Sequence, residues 1–460
     1  MPHHHTVLLL KEMIRFHKVI INNFFRYFFV IFGICISIAF MLRVSTGILV
    51  VVSDGLSYYA HLRSALIDGD LDYANEYRDY NPYKHEVPDF TKTTQTNHVP
   101  NKYPIGPALL WSPFVLVAHV LTLFFNSLGF NLQPDGYSLL YQIAVGFASI
   151  FYGIIGLFFI YKTSLLYSES KTIQISILVY TLSSSLIAYL VFEPSMSHAV
   201  SLFAVSLFLW LCIRNVGNKN NYHYFFLGMA SGLMLMMRYQ NGLFMLFPFI
   251  ELLIEIFESG FSFKRIYYSF IKGSIFISGI FLVMIPQFIV WNILYGKFFL
   301  NTYSSEKFYF LSPKFLDVLF NLKFGLLSYT PIILLCLIGF IFFIKNNKKI
   351  GIILLSIFIL QLYFISSWWS RELGASFGGR GFIECSPIFI FGLSSLITAM
   401  RKLKLLLYSL FVMLILWNFG LLIQFYLYQQ ALTPGELTFG KVLQNQVDVL
   451  KYILNKFFHR

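Results

Sequence analysis

Charge is scarce in this chain of 460 residues. Only 12% of positions are Asp, Glu, Lys or Arg, about half the share found in soluble domains. That excludes an ordinary cytosolic enzyme. Cysteine is also rare: Cys35, Cys212, Cys336 and Cys385 lie in or beside apolar runs with no CxxC spacing. They read as small buried hydrophobes and supply neither a disulfide framework nor a zinc site. Internal repeats, low-complexity tracts and a soluble nucleotide-binding domain are lacking as well. What is abundant is apolar surface. Hydrophobic residues make up 57% of the chain, with 53 Phe and a mean hydropathy of +0.69. These are the proportions of a polytopic membrane protein.

The formal charge of +13 does not point to nucleic acid, because the bases are scattered between apolar runs and form no single patch. Bases flanking membrane spans have a simpler cause, the retention of Lys and Arg on the cytoplasmic side. A spanning helix needs about 20 mostly apolar residues. Runs near 27–50, 138–160, 174–192, 198–214, 224–238, 240–257, 271–294, 324–344, 350–368, 382–400 and 405–428 qualify or nearly do. The two within 224–257 form a tight hairpin. A further run, 107–126, is expected to lie in the outer interface as a helix broken by Pro104, Pro107 and Pro113. On that threading the short basic loops (Lys162 and Lys171; Arg214 and Lys219; Lys264 and Arg265; Lys345, Lys348 and Lys349; Arg401, Lys402 and Lys404) all fall inside. The expected organisation is all-α. A cytoplasmic tail covers 1–26, an eleven-span domain 27–428 with a long first outer loop over 52–137, and an outer tail 429–460.

The conspicuous polar residues then gather on the outer face, apart from Arg43 in the first run. Asp54 follows that run in "VSDGLSYYAHLRSALIDGDL". It reads either as an N-cap or as a functional acid at the start of an amphipathic helix that rests on the membrane, with Leu56, Tyr59, Leu62 and Leu66 on one face. Lys102 precedes the interfacial helix in "NKYPIGPALLWSPF", where it either snorkels to lipid headgroups or binds one particular phosphate. Glu193 and His198 share "FEPSMSHAV" between two spans, and ionisable groups there are functional candidates. Arg238 and Gln240 interrupt "GLMLMMRYQNGLF" at the hairpin tip. The segment "SSWWSRELGASFGGRGFIECSP" carries Trp368 and Trp369, four glycines and Arg380, whose planar fork suits a phosphate. Simple exposure at the headgroup level is the plain alternative for Arg238 and Arg380.

In this order, "SDGLSYY", "NKYPIGPALLW", "FEPSMSHA", "RYQNG", "GLLSYTP" and "WW…SFGGRGF" resemble the GT-C superfamily of integral-membrane glycosyltransferases. The likeness covers roughly 25–430 and is nearest to the branch of protein O-mannosyltransferases and the lipid A aminoarabinose transferase. It implies sugar transfer from a polyprenyl-phosphate donor to a glycan, lipid or protein acceptor, on the extracytoplasmic face of a membrane such as the bacterial inner membrane. Asp54 takes the place of the catalytic acid, with Glu193 as a second acid. Lys102, Arg238 and Arg380 would meet the donor phosphate. Tyr58, Tyr59, Tyr103, His198, Gln240 and Trp369 would contact substrate. Asp54 and Glu193 are also the carboxylates that could share a divalent cation. The adjacent Asp-Glu of mannosyltransferases is missing, since Gly55 follows Asp54, so mannose is not implied. A transporter or flippase, and a polysaccharide ligase or polymerase, are the rival expectations.

Overall fold

The computed structural model describes residues 26–80, 92–216, 220–259, 262–304, 306–374, 376–429 and 437–458. All but the last residue of the expected N-terminal tail therefore lies outside the described residues. The principal helices are α1 (Phe28–Val44), α2 (Asp54–Arg63), α3 (Gly106–Ser127), α4 (Leu139–Ser164), α5 (Ser170–Ser183), α6 (Leu186–Val191), α7 (His198–Arg214), α8 (Asn221–Met237), α9 (Leu246–Ser259), α10 (Phe263–Tyr295), α11 (Ile332–Asn346), α12 (Lys348–Ser367), α13 (Ser386–Ala399), α14 (Lys404–Gln424) and α15 (Phe439–Phe458). Among the described residues there is no strand beyond an isolated antiparallel bridge between Phe308 and Trp368.

Among the described residues seven helical stretches are long and apolar enough to cross a membrane, and α1, α7 and α11 are shorter apolar helices. Large apolar side chains face outward on them, among them Leu405 and Leu416 of α14 and Phe270 of α10. That surface suits the lipid environment of a polytopic membrane protein. These stretches include α3 and six of the eleven apolar runs; the run 174–192 is divided between α5 and α6, and α7 and α8 are 17 residues each. The end of α8 at Met237 brings Arg238 to the region of the candidate site, with His198 at the start of α7 beside it.

Without a hydrophobic force between helices in lipid, close backbone packing at small residues holds a bundle together. Two helix pairs here meet in that way. A Cβ on Gly228 of α8 would lie 2.0 Å from the Phe276 carbonyl oxygen of α10, and one on Gly279 would lie 2.3 Å from that of Phe225. In the second pair, Gly339 of α11 and Gly392 of α13 come equally near to the opposing backbone, 2.1 and 2.0 Å from the Gly392 and Cys336 carbonyl oxygens. No side chain larger than hydrogen fits at these four positions.

Helix α3 departs from expectation. It is one continuous helix of 22 residues, not broken by its prolines, and it packs antiparallel on α4. Trp111 Nε1 donates to Ser149 Oγ, Phe114 packs on Phe151 and Tyr152, and His119 Nδ1 pairs with the Tyr141 hydroxyl. Pro113 does not break it. The carbonyl of Leu109, which Pro113 cannot serve, accepts from Ser112 Oγ at 2.8 Å instead. Its length and apolarity suit a span, yet this register sets it against the N-terminal half of α4, and its first residue rests on Met236 and Met237 at the end of α8.

Helix α2 departs too. Gly55 to Arg63 are all buried, so it lies within the protein and does not rest on a membrane surface. Arg43, unexplained by sequence, closes the turn after α1 by donating to the carbonyls of Ile48 and Leu49 at 2.7 and 2.6 Å. The expected outer tail contains the 20-residue helix α15, antiparallel to α14 through Gln446 to the Trp417 carbonyl and Gln424 to the Val442 carbonyl.

Candidate active site

A cavity of about 520 Å³ opens where α2 starts, α8 ends and the short helix Arg380–Cys385 leads into α13. Its polar lining includes Asp54, Lys102, Arg238, Gln240, Thr302 and Arg380, and its walls are the rings of Tyr58, Tyr103, Tyr239, Trp291, Tyr303, Phe308, Phe364 and Trp368.

Asp54 is the first residue of α2, and Ser53 before it makes no side-chain cap. The carboxylate itself is committed elsewhere: Oδ1 accepts from the Tyr103 hydroxyl at 2.7 Å, and Oδ2 from Arg380 Nη2 at 3.1 Å. These contacts replace the capping role. Burial raises the Asp54 pKa, but Arg380, the Tyr103 hydroxyl, Arg238 and Lys102 together outweigh it and hold the group below its ordinary value. The acid is therefore ionised near neutrality. Arg380 Nη2 also donates to the Leu373 carbonyl at 2.5 Å. Ser53 and Leu373, on either side of this ion pair, both have positive φ, 53° and 55°. Such conformations persist only where the surroundings impose them.

Tyr103 is held from behind. Its amide donates to Asn101 Oδ1 at 3.0 Å, its carbonyl lies 3.0 Å from His61 Nε2, and Asn101 Nδ2 donates to the Ser57 carbonyl. Burial lowers the His61 pKa to about 4, so that ring is neutral scaffolding. Replacing Tyr103 by Phe removes a donor that favours the ionised form of Asp54, so the Asp54 pKa rises. If activity needs the carboxylate, the acid limb of the pH–rate profile should move to higher pH in Tyr103→Phe. An unmoved limb would separate Asp54 from catalysis.

Lys102 is not free for a ligand alone. Its Nζ is 2.8 Å from Glu306 Oε1, and the ammonium lies 5.6 and 5.2 Å from the Tyr103 and Tyr303 ring centres. Glu306 Oε2 accepts from both Trp368 and Trp369 indoles. Arg238 Nη2 donates to Gln240 Oε1 at 3.2 Å, and Gln240 Nε2 to the Gly381 carbonyl at 3.3 Å.

Asp54, Tyr58, Lys102, Tyr103, Arg238, Gln240 and Arg380 thus converge as the sequence suggested, and four other candidates do not. Tyr59 donates to the Gly136 carbonyl at 2.6 Å and packs on Tyr137, away from the cavity. Trp369 is half exposed outside it, while Trp368 lines it. His198 is buried behind Arg238. Glu193 accepts from the Tyr426 hydroxyl at 3.2 Å and is absent from the lining. Burial raises its pKa against the pull of Arg380. Arg380 acts on both acids, an unsuitable setting for a shared cation. Among the described residues no group of three or more His, Cys, Asp or Glu side chains could hold a metal ion.

Two acids escaped the sequence reading. Glu306 sits in the connection between α10 and α11 with no local pattern to mark it. Glu384 had a signal, an acid four residues after Arg380 at the head of the apolar run "FIECSPIFIF". Compared with family models and with curated proteins, the chain matches none.

Proposed function

We propose that the chain is a GT-C-type glycosyltransferase that moves a sugar from a polyprenyl-phosphate donor to an acceptor hydroxyl at the extracytoplasmic face. The observation that carries this reading is the convergence of one ionised carboxylate, Asp54, with Arg380, Arg238 and Lys102 in a single aromatic-walled cavity. Transfer needs both kinds of group. As the acceptor oxygen bonds to the anomeric carbon, Asp54 takes the hydroxyl proton. The bond from that carbon to the phosphate oxygen breaks, and its electron pair leaves with polyprenyl phosphate. The cations stabilise the charge that grows there. Tyr103 keeps Asp54 aimed. The donor phosphate would meet Arg380 and Arg238 directly and reach Lys102 by displacing Glu306.

Sidedness is supported by the bases. Lys162, Lys171, Arg214, Lys345, Lys348, Arg401 and Lys404 lie at or near the ends of α4, α5, α7, α11, α12, α13 and α14 remote from the cavity. Positive loops stay in the cytoplasm, which supports a cavity on the outer side. The eleven-span threading and a bacterial inner-membrane location belong to this same proposal.

The test is reconstitution in proteoliposomes with synthetic polyprenyl-phosphate sugars and extracted envelope lipids, glycans or protein as acceptors. The expected result is covalent sugar on an acceptor and stoichiometric polyprenyl phosphate. Donor that crosses the bilayer intact, with no polyprenyl phosphate formed, would make the protein a transporter.

A further inference from the structure

Glu384 lies in the short helix Arg380–Cys385, and its carboxylate has no exposed surface. Among the described residues no donor reaches either oxygen with hydrogen-bond geometry. A carboxylate so placed is strongly unfavourable unless a cation compensates it. Two groups stand close: Arg238 Nε at 3.6 Å and His198 Nδ1 at 3.4 Å, both from Oε1. Arg238 Nη1 is in turn 3.1 and 3.2 Å from the two His198 ring nitrogens, one of which can accept its proton. His198 is fixed from its other side by the Tyr189 ring, with centres 4.7 Å apart. The guanidinium therefore reaches the cavity from a buried mount. Its Nε edge faces Glu384, His198 supports one arm, and Gln240 takes the other.

We propose that Glu384 is a positioning residue for Arg238: from behind the cavity wall its carboxylate, with His198 alongside, holds the guanidinium where an anionic ligand is met. Glu384 itself touches no ligand. That the anion is the phosphate of an isoprenyl carrier rests on the transferase reading. That Glu384 orients Arg238 does not.

A bland alternative gives Glu384 a general packing role, and a double-mutant cycle separates the two. Thermal unfolding in detergent, without ligand, is compared for wild type, Glu384→Gln, Arg238→Gln and the double variant. Glu384→Gln alone should lower Tm, because it leaves Arg238 buried without its counter-charge. In the Arg238→Gln background the same change should leave Tm nearly unchanged or raise it. If Glu384→Gln alone does not fold, recovery of folded protein in the double variant reads the same coupling. Additive losses would overturn the proposal.

The second measurement is binding of farnesyl phosphate, followed by the fluorescence of Trp291 and Trp368, which line the cavity. Glu384→Gln should weaken binding by about tenfold or more, with no further loss once Arg238 is replaced. Unchanged binding, or an equal loss with and without Arg238, would also overturn it. If wild type does not bind farnesyl phosphate while the Tm cycle shows coupling, the lipid-phosphate reading fails and the Glu384–Arg238 assignment stands.

Discussion

Asp54→Asn should transfer sugar about 10²–10⁴ times more slowly than wild type, the usual range for losing a general base, and should still bind farnesyl phosphate. Asn keeps the size of the side chain and can accept from Tyr103, but it neither carries charge nor takes the acceptor's proton. Removing the negative partner frees the Arg380 guanidinium, which now donates to Asp54 at 3.1 Å, so phosphate binding should hold or tighten. Purified, folded variant is needed, with binding and turnover measured separately. Near-normal turnover would sink the mechanism outright. Glu193 is no substitute, because it is bonded to Tyr426 and not in the cavity lining. Loss of binding together with turnover would instead make Asp54 a structural counter-ion for Arg380.

Arg380→Lys is the second large effect. One guanidinium nitrogen serves both Asp54 and the Leu373 carbonyl, and the other faces Met196 Sδ at 3.7 Å. A lysine ammonium is a compact point charge and cannot reproduce a planar fork across these partners. Losing one fixed donor aimed at developing charge costs roughly 10²–10³ in kcat. On the transferase reading Arg380 acts in the transition state as well as on binding, so kcat should fall by more than KM rises. Wild-type kinetics in Arg380→Lys would reduce this residue to bulk electrostatics, and a rise in KM alone would confine it to donor binding.

Much of the site was legible because charge is so rare. Asp54, Lys102, Arg238 and Arg380 each interrupt or border an apolar run, and an ionisable group there demands an explanation from the residue letters alone. Side-chain direction was not legible. Successive residues of a helix point about 100° apart, so Tyr58 reaches the cavity and Tyr59 turns to Gly136. Of the adjacent indoles the resemblance pointed to Trp369, yet it is Trp368 that lines the cavity. Partners far apart in sequence were beyond reach altogether, as with Lys102 and Glu306, which are 204 residues apart. The all-helical architecture was read correctly from apolar runs. Helix ends were legible at His198 and Arg238, where the apolar runs themselves stop, but not within 174–192, which reads as one run and is divided at Ser184 and Ser185 between α5 and α6.

The glycine contacts bear on how much the site must rearrange when charge moves. Arg238 directly follows α8, which is locked backbone to backbone on α10. Glu384 and Arg380 lead into α13, which is locked in the same way on α11. These charges are thus attached to the least compliant parts of the bundle, where separation is set by main-chain atoms in contact and not by deformable side chains. Water would have to reorient around a departing phosphate, and that reorientation is a large part of the barrier in solution. On the transferase reading the responding charges are already in place here, so that reorganisation would have been met when the chain folded.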